Sequence, residues 1–193
     1  MKSQDIWIQY GKQLLSIRDN DLPGRPLLRI LTAFLFAWMA AAAPKDASWA
    51  PFAYLEGEWT GEGSGQPGEG SGGCTFSFDL NDTVLIRKNW ANYPATKDRP
   101  AFAHADHMTI YRGEGRFHAV YFDSEGHTIL YAVSVSGAGK EIQFVSAAGA
   151  PGPRYRLTYQ RQGEKELTLK FEMAPTGKPE TFASYITARL RRK

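Results

Sequence analysis

One cysteine, Cys74, is all the thiol chemistry this chain carries. No intrachain disulfide can form, and a cluster of thiolate metal ligands is excluded. A lone strand cysteine reads as a small buried apolar residue. Histidine is scarce too: His104, His107, His118 and His127 are the whole set. Charge of one sign is nowhere concentrated. The formal net charge is +3, and from Pro44 onward 18 Lys and Arg face 17 Asp and Glu. A near-neutral domain argues against a nucleic-acid binder driven by phosphate neutralisation. The basic ending Arg189, Arg191, Arg192, Lys193 reads as a solvated terminus.

Catalytic signatures are missing as well. There is no G-x-S-x-G nucleophile elbow and no H-E-x-x-H. Two glycine strings match G-x-G-x-x-G, Gly63-x-Gly65-x-x-Gly68 and Gly68-x-Gly70-x-x-Gly73. Neither opens a helix after a buried parallel strand, as a phosphate cradle requires. The glycines instead predict a flexible rim loop over Ser64–Gly73, with a lid as one use for it.

No apolar run is long enough to cross a bilayer comfortably. The longest, Ile30 to Ala43, has 14 residues. Arg25 and Arg29 precede it and small residues close it, which is the anatomy of a secretory signal. Cleavage after Ala42 keeps Pro44 away from the scissile bond. The expectation is a targeting segment over 1–42 and an exported domain, periplasmic or secreted, over 43–193. The polar stretch before Arg25 is long for a signal. It leaves open a later true start, or an uncleaved anchor with a cytoplasmic tail.

What the chain does have is aromatic residues, 13% of the total, which favour pleated surfaces. Turn punctuation at short intervals predicts about ten strands: Glu56–Gly63, Cys74–Leu80, Thr83–Asn92, His104–Arg112, Arg116–Asp123, Thr128–Val135, Glu141–Ser146, Arg154–Arg161, Glu166–Met173 and Phe182–Leu190. Connections this short allow only antiparallel neighbours. Trp49–Leu55 reads as a short helical turn before the first strand, and Asn81-Asp82 suits a hairpin with positive φ. Leu167, Leu169, Phe171 and Met173 share one face, while Phe117–Phe122 is apolar on both.

The most informative strand begins at Gly57. Gly57, Trp59, Gly61 and Gly63 fall on one parity and so on one face. Missing side chains beside one very large one suit a strand bent around a narrow interior. The fold class expected is all-β, an antiparallel up-and-down β-barrel.

Gly57-x-Trp59 at the head of this pattern resembles the lipocalin and fatty-acid-binding superfamily. The fuller Gly57-x-Trp59-x-Gly61-x-Gly63 is similar to nitrobindin-type haem-binding barrels. Tyr121-Phe122-Asp123-Ser124-Glu125-Gly126-His127 also resembles a segment of uncharacterised bacterial proteins. The nitrobindin resemblance implies an axial His near the start of the last strand and peroxynitrite isomerase chemistry. Here Tyr185 takes that place. A tyrosine can ligate ferric haem; it can equally line a pocket with its hydroxyl hydrogen-bonded. The lipocalin resemblance implies an Arg of the last strand over the motif Trp. If Tyr185 points inward, alternation sends Thr187, Arg189 and Arg191 inward too, so Arg189 is the expected partner of Trp59.

Other candidates come from the residues themselves. Of Arg87 and Lys88 one faces inward, where a cation suits an anionic ligand. His104 and Asp106 share a face, with His118 able to join them across the next strand. No metal site is expected from so few ligands.

The function expected is an exported barrel holding a small apolar or amphipathic molecule, more a binder than an enzyme. Trp59, Arg87, His104, His118, Tyr121 and Tyr185 are its candidate ligand-binding residues. Gly57, Trp59, Gly61, Gly63 and Arg189 are the candidates for barrel closure. No cofactor is expected beyond a haem on Tyr185, the second reading; an interaction domain without a ligand is the third. The reading implies no nucleic acid and no membrane span after signal cleavage, and it leaves a homodimer open.

Overall fold

A computed structural model describes residues 46–147 and 152–193. The targeting segment expected over 1–42 lies outside the described residues. Ten strands follow a short 3-10 helix, Ala47–Leu55: β1 Gly57–Gly65, β2 Gly70–Asp79, β3 Val84–Tyr93, β4 Phe102–Gly113, β5 Arg116–Asp123, β6 Thr128–Ser136, β7 Glu141–Ser146, β8 Arg154–Arg161, β9 Glu166–Ala174 and β10 Ala183–Arg192. Each pairs antiparallel with its neighbours, and β10 returns to pair with β1. The sheet is a closed up-and-down barrel without a free edge.

The two ends differ. At one, tight turns join the strands. Leu80, Asn81 and Asp82 all adopt positive φ in the β2–β3 turn, one residue more than the expected pair. The 3-10 helix packs into this end. Asp46 caps it by accepting the Ser48 N–H at 2.9 Å, and Trp49, Phe52 and Leu55 are fully buried. The Trp49 ring meets Phe52, Phe78 and Phe117 edge-on. Trp59 is buried beside this plug and donates its indole N–H to the Leu55 carbonyl at 2.7 Å. At the other end lie the longer loops 66–69, 94–101, 124–127 and 175–182.

Strand alternation divides the walls. Leu85, Met108, Ile110, Ala119, Tyr131, Ile142, Phe144, Leu157, Tyr159 and Leu167 fill the interior. Outside, over β3 to β6, Trp90, Tyr111, Phe122 and Leu130 are exposed.

The glycine stretch departs from the expected rim loop. Gly63 and Gly65 lie in β1 and Gly70, Gly72 and Gly73 in β2, leaving 66–69 as the turn. The reason is close approach. A Cβ on Gly61 would stand 2.0 Å from the Arg189 carbonyl oxygen, and one on Gly65 2.0 Å from that of Tyr185. The seam between β1 and β10 forms only because side chains are missing there.

Candidate functional site

The end opposite the plug carries the polar interior. Arg87 and Asn89 are on the inward parity of β3; His104 and Asp106 are on that of β4. The register sets Asn89 opposite Asp106 and Arg87 opposite Met108. The Asp106 carboxylate therefore receives three neighbours. Asn89 Nδ2 donates to Oδ2 at 2.8 Å, Arg87 Nη2 reaches the same oxygen at 3.4 Å, and His104 Nε2 stands 3.2 Å from it. Arg87 Nη1 lies 3.3 Å from Oδ1.

Burial pushes the Asp106 carboxyl up, but the Arg87 charge and the His104 and Asn89 hydrogen bonds outweigh it and hold it below the usual 3.8. Burial likewise disfavours the Arg87 charge, and Asp106 more than restores it. An inward Arg was expected as a free cation for an anionic ligand. The structure gives it a buried carboxylate instead.

Tyr121 of β5 extends the network toward the mouth. Its hydroxyl is 3.3 Å from His104 Nε2 and 3.4 Å from Asp123 Oδ2. His104 Nδ1 faces Glu125 Oε2 of the β5–β6 loop at 2.9 Å. Asp123 ties that loop, accepting the N–H groups of Glu125 and His127 at Oδ1 and the His127 ring at Oδ2. Asp123, Glu125 and His127 come close enough to suggest a metal site. Their mutual hydrogen bonds account for the arrangement without an ion.

Around this polar floor stands a ring of half-buried aromatics. Tyr155 and Phe171 stack at 5.8 Å, and Tyr185 meets Phe171 edge-on at 6.0 Å. Deeper in, Tyr121, Tyr131, Phe144, Tyr159 and Phe76 follow one another edge to face into the apolar core.

Several sequence-expected residues lie elsewhere. Trp59 is at the plugged end, away from this floor, and its role is structural. The group above its ring is Arg192, at 4.3 Å, rather than Arg189. Arg189 faces outward and pairs with Glu166 at 3.3 Å. The cause is a β-bulge between Ser184 and Ile186. An extra residue resets the alternation after Tyr185, so Ile186, Ala188, Leu190 and Arg192 point inward and Thr187, Arg189 and Arg191 outward. His118 also faces outward, stacked on Tyr111 at 5.7 Å, and cannot join His104.

Haem does not fit this donor set. His104 is the one inward histidine among the described residues, and both its ring nitrogens are committed to carboxylates. Tyr185 is held by the Phe171 ring, with Tyr93 as its electrostatic neighbour, rather than by a cation that would stabilise a phenolate.

Two clefts lie on the outside of the same end. One, of about 680 Å³, runs over the glycine seam between Glu62, Ser71 and Arg189. The other, about 580 Å³, is lined by Asn92, Tyr93 and Phe102. Neither includes the inward network. They mark where side chains are absent from the wall rather than where polar groups converge.

No family model matches the chain, and no curated protein matches it. Among solved structures it is similar to Rv2717c from M. tuberculosis, with 18% identity, 78% of this chain and 98% of that one covered, and a TM-score of 0.54. That likeness shows the fold. It is also similar to a de novo designed fluorescence-activating β-barrel (12% identity, 73% and 95% covered, TM-score 0.38). EF1p2_mFAP2b bound to DFHBI matches at 9% identity, with 74% and 97% covered and a TM-score of 0.38. The fold is thus a lipocalin-like barrel. Among the described residues no helix is long and apolar enough to cross a membrane.

Proposed function

We propose that this chain is an exported carrier whose barrel mouth binds one small apolar or amphipathic molecule. One observation carries the reading: a neutralised polar floor, Arg87–Asp106–His104–Tyr121, beneath a half-buried aromatic ring of Tyr155, Phe171 and Tyr185. Mostly apolar walls with a few placed polar groups are what a small-molecule site requires. The aromatic ring supports stacking against the apolar part of a ligand. Tyr121 and His104 supply hydrogen bonds for a polar end. Because Asp106 already offsets Arg87, the floor suits a neutral polar group better than a bare carboxylate. The basic-flanked apolar segment Ile30–Ala43 supports export.

Titration with 1-anilinonaphthalene-8-sulfonate tests the site. The expected result is one saturable site, weakened about tenfold (1.4 kcal/mol) by Phe171→Ala and unchanged by Trp90→Ala on the outer wall. Binding that survives Phe171→Ala and disappears with Trp90→Ala contradicts it.

A further inference from the structure

We propose that His104 is a proton-operated latch on the barrel mouth: its imidazolium form ties the Glu125 loop to the barrel floor, and loss of its proton frees that loop. The biological use of the latch rests on the reading of the mouth as a binding site; the latch itself needs no ligand.

The argument starts from donors and acceptors. His104 Nε2 is 3.2 Å from Asp106 Oδ2, and Nδ1 is 2.9 Å from Glu125 Oε2. Ionised carboxylates only accept hydrogen bonds. Both contacts are satisfied together only when both ring nitrogens carry protons. A neutral imidazole has one N–H, so one carboxylate must then face a nitrogen lone pair.

Burial decides which contact fails. The Asp106 side chain is 3% exposed and that of Glu125 is 44% exposed. Unpairing a buried charge costs more than returning an exposed one to water. The remaining proton stays on Nε2, and Glu125 leaves.

The other groups facing His104 are consistent with this. Arg87 and Asn89 hold Asp106 from β3, so the floor stays fixed. The base of the loop is fixed too, because Ser124 N–H bonds the Ala105 carbonyl at 2.9 Å and its hydroxyl accepts the Ala105 N–H at 3.2 Å. Movement is therefore confined to the tip. His127 titrates in the same loop, but its one contact, Nδ1 to Asp123 at 2.8 Å, is satisfied by a neutral ring. Tyr121 is the competing partner. A ring protonated on Nδ1 alone would accept the Tyr121 hydroxyl at Nε2, 3.3 Å away, and keep the loop down.

The direction with pH follows. The hydrogen bond to Asp106 raises the imidazole pKa above its ordinary 6.5; burial opposes this, and the Asp106 and Glu125 charges add to it. A group with a raised folded-state pKa stabilises its contact fully below the unfolded value. The tie is lost as pH rises through the folded value. The mouth is latched in acid and released in mild alkali.

Nitrogen-15 NMR of the His104 ring, with amide exchange of residues 124–127 corrected for intrinsic rate, tests this on the purified protein. The expected result is a doubly protonated ring in acid, an Nε2–H tautomer in alkali, and loop protection falling about tenfold through the same titration. Glu125→Gln, which can both donate and accept, abolishes the pH dependence of protection. An Nδ1–H tautomer in alkali, or protection indifferent to His104 titration, overturns the latch. Failure of 1-anilinonaphthalene-8-sulfonate to bind at any pH, with the loop titrating as described, removes the binding site and leaves the latch standing.

Discussion

The Arg192 guanidinium lies 4.3 Å from the centre of the Trp59 ring and donates to the backbone carbonyls of Tyr54 and Glu56. One side chain of the last strand thus touches the first strand and the plug together. Arg192→Ala is expected to cost about 2 kcal/mol in urea unfolding, from a cation–π contact and bonds to otherwise unpartnered carbonyls. Trp59→Ala should cost about 3–5 kcal/mol, as core Trp truncations do. Arg189→Ala, on the outer wall, should stay within about 0.5 kcal/mol. Equal effects for the two arginines would contradict the register.

The β1–β10 seam gives a second prediction. Gly61→Ala places a methyl 2.0 Å from the Arg189 carbonyl, on backbone that cannot yield locally. The variant is expected to lose at least about 2 kcal/mol or fail to close. Gly163→Ala, with nothing within 4 Å, is the control and should unfold like the parent.

Asp106 predicts an acid limb. Its carboxyl is held below 3.8, so the stability it contributes is fully present above that value and is lost as pH falls through the lower folded one. Asp106→Asn should flatten this part of the stability–pH curve. It should also destabilise the protein at neutral pH by about 3–5 kcal/mol, because Arg87 is left buried and unpaired. Arg87→Met with Asp106→Leu removes both charges and should recover much of that loss.

Cys74 should be silent in the native protein. It is buried, and burial pushes its thiol up to about 11. At pH 8 roughly one thiol in a thousand is then ionised. Labelling by Ellman's reagent is expected to follow the unfolding transition in urea. Prompt stoichiometric reaction in buffer would mean that the β2 wall opens.

Much of the barrel is visible in the chain itself. Gly57, Trp59, Gly61 and Gly63 announce a tightly curved strand, and the alternation of Leu167, Leu169, Phe171 and Met173 assigns β9 its inner face. The glycines after Gly63 mislead because glycine has poor strand propensity in isolation. Only the opposing backbones of β10 and β3 make them necessary. Arg192 is hidden behind Arg189 because a bulge inserts one residue, and one residue reverses inside and outside. In the site, His104 and Asp106 are legible as a same-face pair. Their connection to Arg87 and Asn89 depends on the β3–β4 register, which local sequence does not set. The inward parity of all four is the signal that would have found it. Glu125 is reached only because loop 124–127 folds back over His104.

The carrier reading is tested most directly by native mass spectrometry of the mature protein purified from its own host without detergent. The expected spectrum contains, beside the bare chain, a species heavier by one small organic molecule. That added mass should be lost on gentle collisional activation and strongly reduced in Phe171→Ala. A single bare mass under conditions that preserve a control lipocalin–ligand complex, for both parent and variant, would contradict it.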